Sequence, residues 1–121
     1  MDRAKYLLEW NKQKLTKHSN LKIEDLNELF APKFLVVANG REYHADHQSY
    51  YEFLNKFRAP IDSITYDVQE YYKVGSSIFM PLVATVKRLD GKKEVFDAIM
   101  LLKFDDSGKI IHWQEIYAKR A

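Results

Sequence analysis

The sequence predicts an α+β domain in which three N-terminal helices pack on one face of a curved antiparallel sheet. Two observations lead to this fold class. Before Pro60, apolar residues recur mostly at helical spacing, whereas the chain after Pro60 has the texture of long strands. The breaks between those strands are short turn sequences, which suit antiparallel neighbours in a meander.

Three segments have the spacing of amphipathic helices. The first runs from Arg3 to His18, and the second is a short helix over Ile23 to Phe30 that Pro32 ends. The third begins after Asp46, which has the character of an N-cap, and ends before Pro60. Each helix has an apolar face, which must pack against another part of the fold such as the sheet.

The strands follow from β-branched runs and turn residues. A buried strand is predicted over Phe34 to Ala38, and Asn39-Gly40 favours a hairpin into Arg41 to His44. The meander is predicted over Ile61 to Lys73, Ser77 to Arg88, Lys93 to Phe104 and Lys109 to Tyr117.

Length and composition narrow the function classes. A chain of 121 residues is in the range of one domain, residues 1–121, and its 46% hydrophobic content can fill a core. It has no cysteine, which removes thiolate chemistry and fits a cytoplasmic location. The net charge of +2 is too small to indicate nucleic acid, and no apolar run approaches a membrane span.

Several strands are apolar on both faces. In Val95 to Phe104, Ile99 and Leu101 face away from the side that the helices would cover. An uncovered apolar sheet face needs a partner, and a second copy of the chain is the simplest one. We therefore expect a homodimer through the outer sheet face.

The last strand carries the most informative pattern. Because side chains alternate, Trp113, Glu115 and Tyr117 share one face, with one carboxylate between two large aromatic rings. Burial there would raise the pKa of Glu115 and suit general acid or base work. The alternative is a structural ion pair with a cation such as Arg41.

The order of elements resembles the cone-shaped α+β barrel of the nuclear transport factor 2-like (NTF2-like) superfamily, and within it the SnoaL-like group. Four stretches carry the resemblance: Leu26 to Pro32, Val36 to Gly40, Tyr51 to Leu54 and Leu102 to Ile111. It implies a small-molecule pocket between the concave sheet face and the helices, and often a dimer. It also implies that Met100, Leu102, Phe104, Trp113, Glu115 and Tyr117 face inward.

The familiar mechanisms of this superfamily are not supported by the matching residues. The steroid isomerase roles fall on Val37, on Lys14 or Trp10, and on Met100, none of which is suitable. The Asp-Arg-Asp arrangement of the epoxide hydrolases lacks an inward-facing arginine.

The predicted site residues come both from the residue pattern and from the resemblance to the superfamily. Glu115 is the candidate acid or base, with His44 or Tyr117 assisting. The residues expected to contact a substrate are Trp10, Phe30, Val37, Phe53, Phe57, Met100, Leu102 and Trp113. No cofactor is expected, and the run His44, Asp46, His47 is too weak a pattern to predict a metal.

Two functions remain open. The first is a protein that binds a small, mostly apolar molecule and, if it is an enzyme, catalyses cofactor-free isomerisation, cyclisation or dehydration. The second is a noncatalytic binding or dimerisation module whose cone is filled by its own side chains. A pocket of several hundred Å³ that reaches Glu115 would favour the first.

Overall fold

The fold is α+β, as predicted, and the computed structural model describes residues 2–120; residues 1 and 121, the ends of the predicted domain, lie outside the described residues. The helices are α1 (Asp2–Lys14), a 3₁₀ helix (Ile23–Glu28) and α2 (His47–Arg58). The strands are β1 (Phe30–Ala38), β2 (Arg41–Asp46), β3 (Ile61–Val68), β4 (Tyr72–Val74), β5 (Ser77–Arg88), β6 (Lys93–Phe104) and β7 (Ile110–Lys119).

The strands form one mixed sheet in the order β2-β1-β7-β6-β5-β3, with β4 paired to β5. The prediction of a wholly antiparallel sheet is wrong at one pair, because β1 and β7 run parallel. Strand β2 pairs with one edge of β1. Strand β7, the last strand of the meander, pairs with the other edge of β1 and runs in the same direction as β1. The sheet ends at β2 and β3, which do not pair with each other, so the cone is open.

Helix α1 ends at Lys14, earlier than the predicted His18. The following turn is held from outside the helix. Arg58, at the end of α2, donates from Nη1 to the carbonyl of Thr16 at 2.8 Å and to that of Ser19 at 3.1 Å. Both carbonyls lie beyond the helix end, and that of Thr16 also accepts from the Ser19 hydroxyl at 2.9 Å. A distant guanidinium and a local hydroxyl together hold the chain in this turn.

The predicted second helix is a 3₁₀ helix that stops at Glu28, and Phe30 belongs to β1. The strand begins early because Phe30 pairs with Ile110, whose backbone nitrogen donates to the carbonyl of Leu29 at 2.7 Å. Pro32 lies where the β1–β7 register shifts, a place that tolerates a residue without an N–H donor.

Several local predictions are confirmed. Asp46 caps α2, with its carboxylate accepting from the backbone nitrogen of Ser49 at 2.8 Å. Asn39 and Gly40 form the hairpin turn with φ of 49° and 85°. Strands β5 and β6 have the predicted bounds, whereas the strand predicted over Ile61 to Lys73 is divided into β3 and β4.

The inner and outer faces of the sheet differ as predicted. Met100 and Leu102 are buried in one core with residues of both helices. On the outer face, Ile99 and Ile116 are 56% and 63% exposed. No helix within residues 2–120 is long and apolar enough to cross a membrane.

Candidate functional site

A cavity of about 590 Å³ lies between the inner face of the sheet and the two α-helices. Its lining comes from α1, α2 and every strand except β4, and most of it is apolar. The volume is within the range of small-molecule sites. The cone is therefore not filled by its own side chains.

Strand β7 places three side chains in the cavity wall: Trp113, Glu115 and Tyr117. Glu115 lies between Ala38 of β1 and Met100 of β6. Because the flanking side chains are small or apolar, neither strand offers the carboxylate a partner.

The end of β7 is held in place by the β1–β2 turn. The side-chain amide of Asn39 accepts from the backbone nitrogen of Tyr117 at 2.8 Å and donates to its carbonyl at 3.2 Å. The backbone nitrogen of Asn39 donates to the carbonyl of Glu115 at 2.9 Å. These bonds extend the β1–β7 pairing by one residue and fix the direction of both cavity side chains.

The carboxyl of Glu115 forms no side-chain hydrogen bond and no ion pair with any residue in the range 3–120. Arg41 also lines the cavity but is not paired with it. Burial disfavours the anion and raises the pKa of Glu115 to about 7. The group can therefore gain or lose a proton near neutral pH.

The structure brings six of the predicted site residues to the cavity wall and leaves five outside it. The six are Phe53, Phe57, Met100, Trp113, Glu115 and Tyr117. The five are Trp10, Phe30, Val37, His44 and Leu102.

Val37 and His44 are placed outside by the alternation of strand side chains. Val36 and Ala38 line the cavity from β1, so Val37 points to the opposite face. His44 pairs with Leu35, on that same face, and is exposed. No carboxylate lines the cavity from β1, so the steroid isomerase base is missing whichever β1 position is compared.

Trp10, Phe30 and Leu102 belong to the core rather than to the cavity wall. Phe30 stacks on Phe34 and Trp113 with ring centroids 4.5 and 6.0 Å apart. It also meets Trp10 edge-on at 6.3 Å. Spacing along helices and strands did not separate residues that fill the core from those that border the cavity.

Asn11 and Tyr66 line the cavity but were not predicted as site residues. Asn11 is 1% exposed, and its Nδ2 donates to the Tyr66 hydroxyl at 3.2 Å. The sequence feature that could have indicated Asn11 as a site residue is its position on the apolar stripe of the first helix. A buried polar side chain requires a partner, and here the partner is on a different element.

The prediction that no arginine faces inward is wrong, since Arg88 and Arg41 line the cavity. Arg88 donates from Nε to Glu94 at 2.6 Å, a carboxylate that also pairs with Lys119. No aspartate is among the lining residues in the described part of the chain. The Asp-Arg-Asp arrangement is therefore not formed.

The mouth of the cavity carries exposed aromatic rings. Phe53, Phe57 and Tyr43 are 47%, 42% and 38% exposed. The ring of Phe53 lies 6.1 Å from each of the other two. This aromatic rim continues the apolar wall towards solvent.

Asp46 and His47, two of the three residues in the run His44, Asp46, His47, make structural contacts. Asp46 caps α2, and Nε2 of His47 lies 3.1 and 3.0 Å from the carbonyl oxygens of Phe30 and Ala31. Among the side chains that the structure describes, those of residues 3–120, no three from His, Asp or Glu lie close enough together to hold a metal ion.

Comparison with solved structures fits this geometry. A proposed polyketide cyclase from Acidithiobacillus ferrooxidans matches with a TM-score of 0.75 and 17% identity, over 97% of this chain and 88% of its own. An epoxide hydrolase of M. tuberculosis, described as LEH-like, matches with a TM-score of 0.74 and 10% identity, over 97% and 80%. The chain has the NTF2-like fold.

A third structure is a hypothetical protein from Catenulispora acidiphila with a ketosteroid isomerase-like fold, solved in complex with trimethylamine. It matches with a TM-score of 0.66 and 16% identity, over 82% of this chain and 77% of its own. No family model and no curated protein sequence matches the chain. At these identities the NTF2-like fold is shared, while the residues of the site are this chain's own.

Proposed function

We propose that the chain is a SnoaL-like domain that binds a small, mostly apolar organic molecule in the cavity and moves a proton on it without a cofactor. Glu115 is the acid or base, and Tyr117, next on the same face, assists. The reaction class is isomerisation, cyclisation or dehydration, each of which needs a group that both takes and gives a proton.

The proposal is carried by one observation: an unpaired carboxyl in the wall of an apolar cavity of about 590 Å³. A carboxylate that only stabilised the fold would have a cationic or hydrogen-bonding partner. The related folds support a small-molecule role, since one is a proposed polyketide cyclase and another was solved with trimethylamine.

A base-sensitive probe tests the chemistry before any substrate is known. In nitrobenzisoxazole, a base removes the ring C–H proton, the N–O bond breaks, and a coloured cyanophenolate forms. We expect catalysis above the buffer rate, rising with pH through about 7 as Glu115 ionises. Glu115→Gln should lower the catalysed rate at least about a hundredfold, the lower end of the usual contribution of a positioned base.

The matched control is Glu70→Gln, at an exposed glutamate that does not line the cavity. It should leave both the rate and its pH dependence unchanged. A wild-type rate equal to that of buffer, or equal losses in both variants, would contradict proton transfer by Glu115. Binding of the probe without turnover would favour the noncatalytic function.

We also propose a homodimer through the outer sheet face. Pro81, Ile99 and Ile116 are register partners on β5, β6 and β7 and form a continuous apolar band. Asp97 on the same face is paired with Arg120 of its own chain at 2.8 Å, so it does not require a partner subunit. Covering the exposed band removes apolar surface from water.

Light scattering at micromolar concentration should give twice the mass of the chain. Ile116→Lys should reduce it to the mass of one chain, because the lysine charge would be buried in the contact. Val74→Lys is the control, since Val74 is equally exposed but lies on β4, outside the band. A monomeric wild-type protein, or equal effects of the two lysines, would exclude this interface.

A further inference from the structure

The amide of Asn11 holds the hydroxyl of a cavity residue. Asn11 lies on the buried face of α1 and is the one fully buried polar residue among the described ones. Its Nδ2 donates to the Tyr66 hydroxyl at 3.2 Å, while its Oδ1 is buried without a partner. The amide therefore makes one side-chain contact, and that contact is with a residue of the cavity wall.

This arrangement costs stability. A buried acceptor without a hydrogen-bond partner lowers the stability of the fold, whereas a leucine of similar size would pack against the same core. A purely structural role does not explain an amide at this position. The hydrogen bond from the Asn11 amide to the Tyr66 hydroxyl does explain it.

The Tyr66 hydroxyl is left with a free proton. A hydroxyl has one donor and two acceptor sites, and the bond from Asn11 uses one of the acceptor sites. No group of residues 3–120 accepts the Tyr66 proton, and Tyr66 lines the cavity. Burial raises the pKa of Tyr66, so the hydroxyl keeps this proton.

We propose that the Tyr66 hydroxyl donates a hydrogen bond to an acceptor atom of the molecule in the cavity, with Asn11 as its positioning residue. This assignment rests on the small-molecule binding proposed above and narrows its ligand class. The ligand has an apolar body and an oxygen or nitrogen acceptor that reaches Tyr66, with Glu115 as the second polar contact.

Three probes of similar size and different hydrogen bonding test the assignment: indanone has an acceptor, indole has a donor, and indane has neither. Dissociation constants are measured by NMR titration at pH 9, where Glu115 is ionised and cannot donate. We expect wild-type protein to prefer indanone over indane by about tenfold, the worth of one good hydrogen bond.

Tyr66→Phe and Asn11→Leu should each bring this ratio to about one, and the ratio corrects for any change in apolar contact that both probes share. Asn11→Leu should also unfold at the same temperature as wild type or higher, which separates a positioning role from a structural one. Tyr72→Phe, at an exposed tyrosine outside the cavity, should keep the wild-type ratio.

The possible failures are distinguishable. If none of the three probes binds, apolar ligand binding fails, and this assignment fails with it. If the probes bind with equal affinity, or if the preference for indanone survives both substitutions, only the role of Tyr66 is overturned. A preference for indole that depends on Tyr66 would show that the hydroxyl accepts rather than donates, which also contradicts the proposal.

Discussion

Replacing Glu115 with glutamine should stabilise the folded protein at pH 9 and have little effect at pH 4. Burial raises the pKa of this carboxyl from 4.5 to about 7, so the folded state binds its proton more tightly than the unfolded state. Between these two values, rising pH removes a proton more readily from the unfolded chain. Glu115 therefore costs stability progressively as the pH rises from about 4.5 to about 7.

The full cost above pH 7 is up to about 3 kcal/mol, since each pKa unit corresponds to about 1.4 kcal/mol. Glutamine has a similar shape and no charge at any pH, so the substitution removes this cost. Urea unfolding of both proteins at several pH values measures it. The difference in unfolding free energy should be near zero at pH 4 and should reach its maximum above pH 7.

Glu70→Gln again serves as the control and should leave the pH dependence of stability unchanged. A difference between wild type and Glu115→Gln that does not vary with pH would mean that the carboxyl has an ordinary pKa in the folded protein. The desolvated acid on which the proposed chemistry depends would then be absent.

The sequence predicted best those features that depend on neighbouring residues. The bounds of β5 and β6 followed from alternation and turn residues, and Asp46 as a cap depends on Ser49 three positions later. The shared face of Trp113, Glu115 and Tyr117 is likewise a local property of one strand. Such features need no knowledge of what packs against them.

The features that were missed depend on distant partners. The turn that replaces the predicted end of the first helix is held by Arg58, which binds its carbonyls from the end of α2. Phe30 is in a strand because Ile110 pairs with it. The Asn11–Tyr66 bond joins the first helix to β3. A one-dimensional pattern shows that Asn11 is on an apolar stripe but cannot show which hydroxyl it meets.

The alternation of side chains along strands explains the two remaining errors in the predicted site, Val37 and His44. Resemblance to the superfamily located β1 beside the pocket but assigned Val37 rather than Val36 and Ala38 to the inner face. A shift of one residue reverses every side chain of a strand. The same reversal places His44 outside the cavity, since this β2 residue pairs with Leu35, an outward-facing residue of β1.

Phe30→Ala should destabilise the protein by about 3–5 kcal/mol, the usual cost of removing a buried phenylalanine. The Phe30 ring is 1% exposed and lies among the rings of Trp10, Phe34, Tyr50 and Trp113. Its loss would leave a cavity bordered by four aromatic rings, three of which are held in place by α1, α2 and β7. Thermal and urea unfolding measure the loss.

Phe53→Ala is the matched comparison, because the same side chain is removed from the 47% exposed rim of the cavity. It should cost about 1 kcal/mol or less in stability, as for most substitutions outside the core. It should nevertheless weaken indane binding, while Phe30→Ala, measured below its own unfolding transition, should change that binding little. Sequence spacing assigned both rings to substrate contact, and only their packing separates the two roles. Similar losses of stability in the two variants would contradict this division between a core ring and a rim ring.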